Sequence, residues 1–302
     1  MKLPHPIQYQ GSKRNLASTI LKYFPSDVGK LIEPFAGTAA ISVAAAYKGY
    51  TNAFIINELN KPLLELLKLI IEQPCEIANF YEKIWNAQHK DSIKHYYTIR
   101  EEFNRTNDCR LFLYLLARCA KGAVRYNKDG CFNQSPDKRR KGTMPQTMKK
   151  NIYGVSSLLK GKAKLSAYDY RLFLKELSEN DLVYMDPPYQ GVCGNRDLRY
   201  YSGIHYQEFI EYLGELNDKN ISYIISYDGK TGHKTYGKKL PNQLELKHLE
   251  IMVGRSTQAT LLGKNEITYE SLYLSPALQN RLNKNQRNNE AKQLNIFESN
   301  HA

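Results

Sequence analysis

The sequence predicts a doubly wound α/β sheet interrupted by a long, mainly helical insertion, and three observations carry that reading. Residues 30–57 run strand, turn, helix and strand. Residues 62–123 hold successive amphipathic helices with no strand between them, and strand patterning resumes at residue 163. The chain has 302 residues, of which 42% are hydrophobic, enough to bury a sizeable core and to exclude wholesale disorder.

The first strand is KLIE at 30–33, which ends in Pro34-Phe35-Ala36-Gly37 and feeds an Ala-rich helix from Thr38 to Lys48. A second strand, AFIIN at 53–57, ends beside Glu58. From Pro62 the pattern turns helical through LLELLKLIIE, IANFYEKIWNAQ, IKHYYTIREEF and RLFLYLLARCA. The longest apolar run in it, LLELLKLII at 63–71, is broken by Glu65 and Lys68 and falls short of the roughly 20 residues a membrane helix needs. Asn127-Lys128-Asp129-Gly130 is a turn signal between Tyr126 and Phe132, so a β-hairpin is expected there. Strands follow at 163–169, 181–186 and 221–228, with a helix at 206–218. Segments 244–253 and 268–275 supply the final, antiparallel strands, and the Asn/Gln-rich residues after Pro276 read as a polar, mobile tail.

The domain plan is therefore discontinuous: residues 1–61 and 161–276 form a catalytic domain, 62–160 an insertion, and 277–302 the tail. Lys and Arg number 43 against 30 Asp and Glu, a formal charge of +13 that points to a phosphate-rich partner. Residues 121–150 carry nine basic and two acidic side chains, more than half of that excess. The first fifteen residues build no apolar stretch of the export type, so a cytoplasmic protein with no membrane partner is expected. The five cysteines are odd in number and never spaced as C-x-x-C; all read as thiols. The seven histidines form no ligand pair, which leaves no metal expected.

Chemistry concentrates at Asp186-Pro187-Pro188-Tyr189, directly after the strand Leu182, Val183, Tyr184, Met185. Ligands of open α/β sheets bind at that edge, and two prolines stiffen the turn. An exocyclic amine on a nucleobase is a poor nucleophile, because its lone pair is delocalised into the ring. If the Asp186 carboxylate takes one amino hydrogen and the Pro187 carbonyl the other, the nitrogen is held with its lone pair turned toward an electrophile. Tyr189 would stack on the base, which must be flipped out of the duplex to reach such a pocket. At the other strand end, Glu33 to Thr38 lies between strand and helix, where backbone N–H groups and the helix dipole can receive a cofactor's polar end. Glu58 follows Gly37 by 21 residues, about the interval at which an acidic residue in such folds holds a ribose. The loop lacks G-x-G-x-x-G, which argues against a dinucleotide and for an adenosine with a small charged amino-acid arm, such as S-adenosylmethionine.

These residues give the chain a family likeness: it resembles the DNA adenine-N6 methyltransferases of the Dam type, the D12 class. Tyr9-Gln10-Gly11-Ser12-Lys13 looks like the family's W/Y-x-G-x-K cofactor motif, Glu33 to Gly37 its E-P-F-x-G loop, and Asp186 to Tyr189 its catalytic motif, in the family's order. The resemblance covers roughly residues 5–275. It implies a Rossmann-like S-adenosylmethionine-dependent methyltransferase sheet whose helical insertion, residues 62–160, reads the target sequence in duplex DNA. It further implies that Lys13 and Gly11 contact the methionine end of the cofactor, that Phe35 and Gly37 line its pocket, that Glu58 holds the ribose hydroxyls, and that Asp169 lies near the adenine. Two positions depart from the family pattern: Ala39 stands where a second glycine is usual, and Glu58 replaces a commoner Asp.

Lys138-Arg139-Arg140-Lys141 is expected to bind DNA phosphates rather than to be mere solvated surface, and Arg125 and Asn127 are candidate base readers, Arg suiting guanine and Asn adenine. The loop 190–203 reads as a cover for the flipped base, and His205 as structural. The expected activity is thus transfer of a methyl group to adenine N6 in DNA, by a solitary methylase or by one half of a restriction-modification system with a cognate endonuclease encoded nearby. Methylation of cytosine N4, RNA adenine or a protein glutamine is the rival chemistry, and a non-catalytic DNA-binding protein the rival class. Asp186 weighs against cytosine N4 and glutamine, and the acidic residue, the stacking Tyr and the cofactor-like loop together weigh against the second.

Overall fold

The computed structural model describes residues 3–188, 204–232, 234–236, 239–255 and 267–285. Its strands are β1 (Leu31–Glu33), β2 (Phe54–Asn57), β3 (Ala163–Ser166), β4 (Leu182–Met185), β5 (Ser222–Thr231), β6 (Lys234–Tyr236), β7 (Lys247–Arg255) and β8 (Ile267–Leu274). Seven of them form one path in the order β3-β2-β1-β4-β5-β8-β7, and β6 pairs with the far end of β5. The first five are parallel, whereas β8 and β7 add antiparallel pairings, as expected from their position at the end of the chain. The chain thus steps outward from β1 to β3 and returns to place β4 on β1's free side. That reversal opens a crevice beyond the carboxyl ends of β1 and β4, the edge where α/β sheets bind ligands.

Central strands are covered on both faces, so adjacent residues enter different cores. Leu31 and Leu182 join a large cluster on one face, while Ile32 and Val183 join a smaller one built around α8 (Tyr206–Asp218). The large cluster does not stop at the sheet. It continues from α1 (Ala17–Ile20) and α2 (Ala40–Lys48) through α3 (Lys61–Glu72), α4 (Pro74–Ala87), α5 (Ser92–Thr106), α6 (Cys109–Arg118) and α7 (Pro145–Leu159).

Local rules account for the helix boundaries. Asn60 caps α3 by accepting from the Leu63 amide, Asp91 caps α5 and Asp108 caps α6 through the same kind of bond. In α3, Leu63, Leu66, Leu67, Ile70 and Ile71 fall at helical spacing and are buried. In α6, Leu111 to Leu116 are all buried, which makes it the central rod of the helical layer. Within the segment α7 packs on α3 and α4 and reaches back to α2, α3 touches β3, and α6 packs on α3, α4 and α5.

The Asn127 turn forms as expected. Asn127 and Cys131 pair through their backbones at 2.8 Å, Tyr126 bridges Phe132, and Gly130 takes a φ of +74° that favours glycine. Phe132 is buried against the rings of Phe103 and Phe112. Two differences from the sequence reading stand out. The strand expected over 163–169 stops at Ser166, because Asp169 caps a 3-10 turn over Tyr170–Lys175. The tail expected to be mobile after Pro276 continues as a helix, α9, over 276–285; its remainder lies outside the described residues. Ala277 and Leu278 are buried, and the Arg281 guanidinium donates to the carbonyls of Glu179, Asp181, Asn180 and Asp27, tying α9 to the amino-terminal edge of the sheet.

Candidate active site

Sequence dictates an unusual start to α2. Its cap position is Ala39, which has no side chain able to accept a hydrogen bond and sits at φ +52°, in the left-handed region. The missing acceptor comes from the end of β1: Glu33 Oε1 takes the Ser42 amide at 2.5 Å. Glu33 is buried, and loss of water pushes its carboxyl up to about 7 against the pull of the Ser42 bond. Gly37 adopts φ +52°, and its N–H donates to Glu58 Oε2 at 2.8 Å. Glu58 Oε1 accepts the Asn60 amide at 2.8 Å, so this carboxylate clamps the β1 loop to the start of α3. Burial also lifts Glu58 to about 7. The amides of Ala36, Gly37, Ala39 and Ser42 are thus taken by protein acceptors, which narrows what the loop can offer a ligand's anionic end.

Asn57 knits three strand ends together. Its amide nitrogen donates to Pro34 O and Tyr168 O, each at 2.9 Å, while its oxygen accepts from Ser166 Oγ and the Tyr168 amide. All the hydrogen-bonding capacity of a buried amide is used, which fixes the floor of the crevice. Nothing in the sequence reading singled out Asn57, and the signal available was an amide at the end of a buried strand.

Across the crevice, Asp186 leaves β4 beside the end of β1. Its Oδ2 lies 2.8 Å from Lys13 Nζ, and that ammonium also sits 3.7 Å from Glu270 Oε2 on β8. Lys13 is only 7% exposed, so its charge is held by the two carboxylates rather than by water. Glu270 was not among the expected site residues. Burial raises its carboxyl, opposed by Lys13. It shares a strand face with the buried Leu272 and Leu274, and a charged residue on such a face was the sequence signal for it.

Tyr9, Gly11, Lys13, Glu33, Phe35, Gly37, Glu58, Asp169 and Asp186 all line one cleft of about 380 Å³, and so do Pro187 and His205. Phe35 packs on Tyr170 with ring centres 5.1 Å apart, and the exposed apolar faces of Leu59 and Tyr168 stand in the same cleft. Asp169 is at the rim, where both its oxygens are taken by the Arg171 guanidinium at 2.9 Å, which holds it below the usual carboxylate range. Arg171 is in turn paired with Glu208 at 2.8 Å. Tyr189 and the loop 190–203, including Cys193, lie outside the described residues; Cys75, Cys109, Cys119 and Cys131 are free thiols.

The basic segment is exposed at Arg125 and at Lys138, Arg139, Arg140 and Lys141. The Asn127 side chain shapes the turn: its oxygen accepts the Asp129 and Cys131 amides at 3.0 and 2.8 Å, and its nitrogen reaches Asp129 Oδ2 at 3.3 Å. The basic run is held from beneath by residues the sequence did not single out. Arg118, 1% exposed, donates to the carbonyls of Asp137 and Arg140, Gln88 to that of Lys141, and Tyr81 to that of Thr143. No carboxylate lies within ion-pair distance of Arg118 among the described residues. The hairpin segment also touches the cleft. Gln10 N donates to Gly122 O at 2.8 Å, and Asn60 reaches the Tyr126 hydroxyl at 3.4 Å.

No cluster of three metal-ligating side chains exists among the described residues, and no described helix is long and apolar enough to cross a membrane. Comparison with known proteins gives a consistent set. The family model for D12 class N6 adenine-specific DNA methyltransferase matches residues 9–254. The retron Ec67 DNA adenine methylase of Escherichia coli is 27% identical over 75% of this chain and 74% of its own length. The type II methyltransferase M.MjaIII of Methanocaldococcus jannaschii is 28% identical over 61% of this chain and 68% of its own. The DNA adenine methylase of Haemophilus influenzae is 25% identical over 78% and 84%.

Proposed function

The chain belongs to the D12 class N6 adenine-specific DNA methyltransferases, and from that premise we propose that its methyl donor is S-adenosylmethionine, held in the cleft between β1 and β4, with Asp186 and Pro187 orienting the adenine amine. One observation carries the reading: Asp186 and Pro187 open onto the same cleft as Glu33, Gly37 and Glu58, residues separated from them by more than a hundred positions in sequence.

The donor set suits the proposed molecule. Asp186 and Lys13 set a carboxylate and an ammonium side by side in the cleft, groups that can pair with the ammonium and carboxylate of the donor's amino-acid arm. Glu58 keeps lone pairs beyond those given to Gly37 and Asn60, so it can still accept a ribose hydroxyl. Leu59 and Tyr168 offer an apolar surface for a purine. Family membership replaces the rival readings of cytosine N4, RNA adenine, glutamine methylation and a purely binding protein.

When bound, S-adenosylmethionine supplies an electrophilic methyl carbon on a positively charged sulfur. The protein's part is to place and polarise the amine. The Asp186 carboxylate accepts one amino hydrogen and the Pro187 carbonyl the other, drawing the N6 lone pair out of conjugation and toward the donor. The Asp186 carboxylate, already holding the amine, is placed to take the proton that N6 must lose once it is methylated. Tyr189, one residue beyond the described part of this turn, is proposed to stack on the flipped base.

For the DNA, we assign phosphate contacts to Lys138 to Lys141, a guanine contact to Arg125, and the recognition unit to residues 62–160. The presence of type II methyltransferases among the relatives supports a cognate endonuclease as a partner.

The test is incubation with S-adenosylmethionine and unmethylated duplex DNA, digestion to nucleosides and mass spectrometry. N6-methyladenine should form with the natural chain and not with Asp186→Ala, while donor binding by that variant is largely kept. Methyl transfer at an equal rate by Asp186→Ala would remove the role given to Asp186.

A further inference from the structure

We propose that Glu270 is a positioning residue for methyl transfer: a second anchor that receives the Lys13 ammonium when the adenine amine takes its place on Asp186. This rests on the function proposed above and adds a residue to its machinery.

The geometry supplies the reasons. Asp186 Oδ2 is engaged by Lys13 Nζ at 2.8 Å, yet the reaction requires Asp186 to accept an amino hydrogen. An amine that donates to Oδ2 therefore meets an ammonium already seated on that oxygen. Lys13 is 7% exposed and cannot relax into water, so displacing it without a new anion would strand a buried charge. Glu270 provides that anion. Its Oε2 is shielded from solvent, has no hydrogen-bond partner among the described residues and lies 3.7 Å from Nζ, too long for a hydrogen bond and about 1 Å from becoming one. A buried acceptor left unsatisfied is costly unless some state of the protein satisfies it. Motion of the lysine head by that small distance pairs Glu270 and frees Asp186.

The sheet aims Glu270 at this point. Between Ser226 and Gly229 the pairing of β5 with β8 shifts register, and Glu270 stands opposite Gly229, immediately past the bulge. Bulges beside active sites redirect side chains in this manner. Gly229 is required there, since a Cβ would come within 2.5 Å of the Tyr269 carbonyl.

The experiment compares the natural chain with Glu270→Gln and Glu270→Asp, measuring single-turnover methylation of duplex DNA at saturating donor, dissociation constants for S-adenosylmethionine and DNA, and thermal midpoints. Glu270→Gln keeps shape and removes charge. It should lower the transfer rate about tenfold or more, in keeping with the sensitivity of such sites to misplacement of about 1 Å. Both dissociation constants should stay within about twofold, the scatter expected when no ground-state contact is lost. Glu270→Asp, shorter but charged, should recover part of the rate. A fully active Glu270→Gln overturns the inference, as does a rate loss matched by lost donor affinity, or an Asp variant no better than Gln. If the natural chain itself forms no N6-methyladenine, the proposed function fails and this inference with it.

Discussion

At the scale of single residues, the carboxyl of Glu33 couples the start of α2 to pH. Its folded value of about 7 exceeds the ordinary 4.5, so the folded state holds the proton more tightly than the unfolded chain. The stability this brings is complete below the ordinary value and is lost as pH rises through about 7, with a slope of at most about 1.4 kcal/mol per pH unit. Glu58, raised for the same reason, acts in the same direction. Denaturant midpoints measured from pH 5 to 8 should fall for the natural chain and fall less for Glu33→Gln; parallel curves would show that Glu33 does not carry this linkage. Most of these side chains were legible because motifs fix residue types at strand ends. Glu270 and Arg118 were not, since their roles depend on which distant groups the fold brings to them. The Asx turn at Asn127 was equally hidden, since an amide that suits adenine also suits such a turn.

Among the elements, the basic run and the buried side chains under it form one device. Four exposed cations can be useful only if the loop presents them together, and Arg118, Gln88 and Tyr81 hold its carbonyls in place. Neutralising Lys138 to Lys141 should weaken DNA binding and make the plot of log affinity against log salt shallower by up to about 4. Arg118→Met leaves those charges intact but unmoored. It should weaken binding while retaining more of the salt slope, and an unchanged affinity would show that the loop needs no anchor. The helices and the hairpin were readable from 3.6-residue periodicity and the Asn-Lys-Asp-Gly turn. Which helices meet was not, because periodicity shows that a face is buried without naming its neighbour; α7 packs on α4, α3 and α2.

For the whole molecule, strand order converts a discontinuous sequence into one cleft, and α9 closes the opposite edge. Arg281 donates to four backbone carbonyls there and to Ser222 Oγ. Arg281→Ala should therefore lower the thermal midpoint by several degrees, the shift expected for a loss of about 1.5–3 kcal/mol in a chain of this size, with the methylation rate at 25 °C unchanged. A midpoint equal to that of the natural chain would show that α9 adds nothing to the core. The polar composition after Pro276 concealed this helix, for an arginine satisfied by carbonyls looks in sequence like any solvated one. The trio of Lys13, Asp186 and Glu270 has a further consequence, in time. A ribosome adding about 5–20 residues per second takes roughly a quarter-minute to most of a minute to travel from the first member to the last. Through that interval first Asp186 and then Glu270 are still to be made, so the trio is complete only once β8 has left the ribosome.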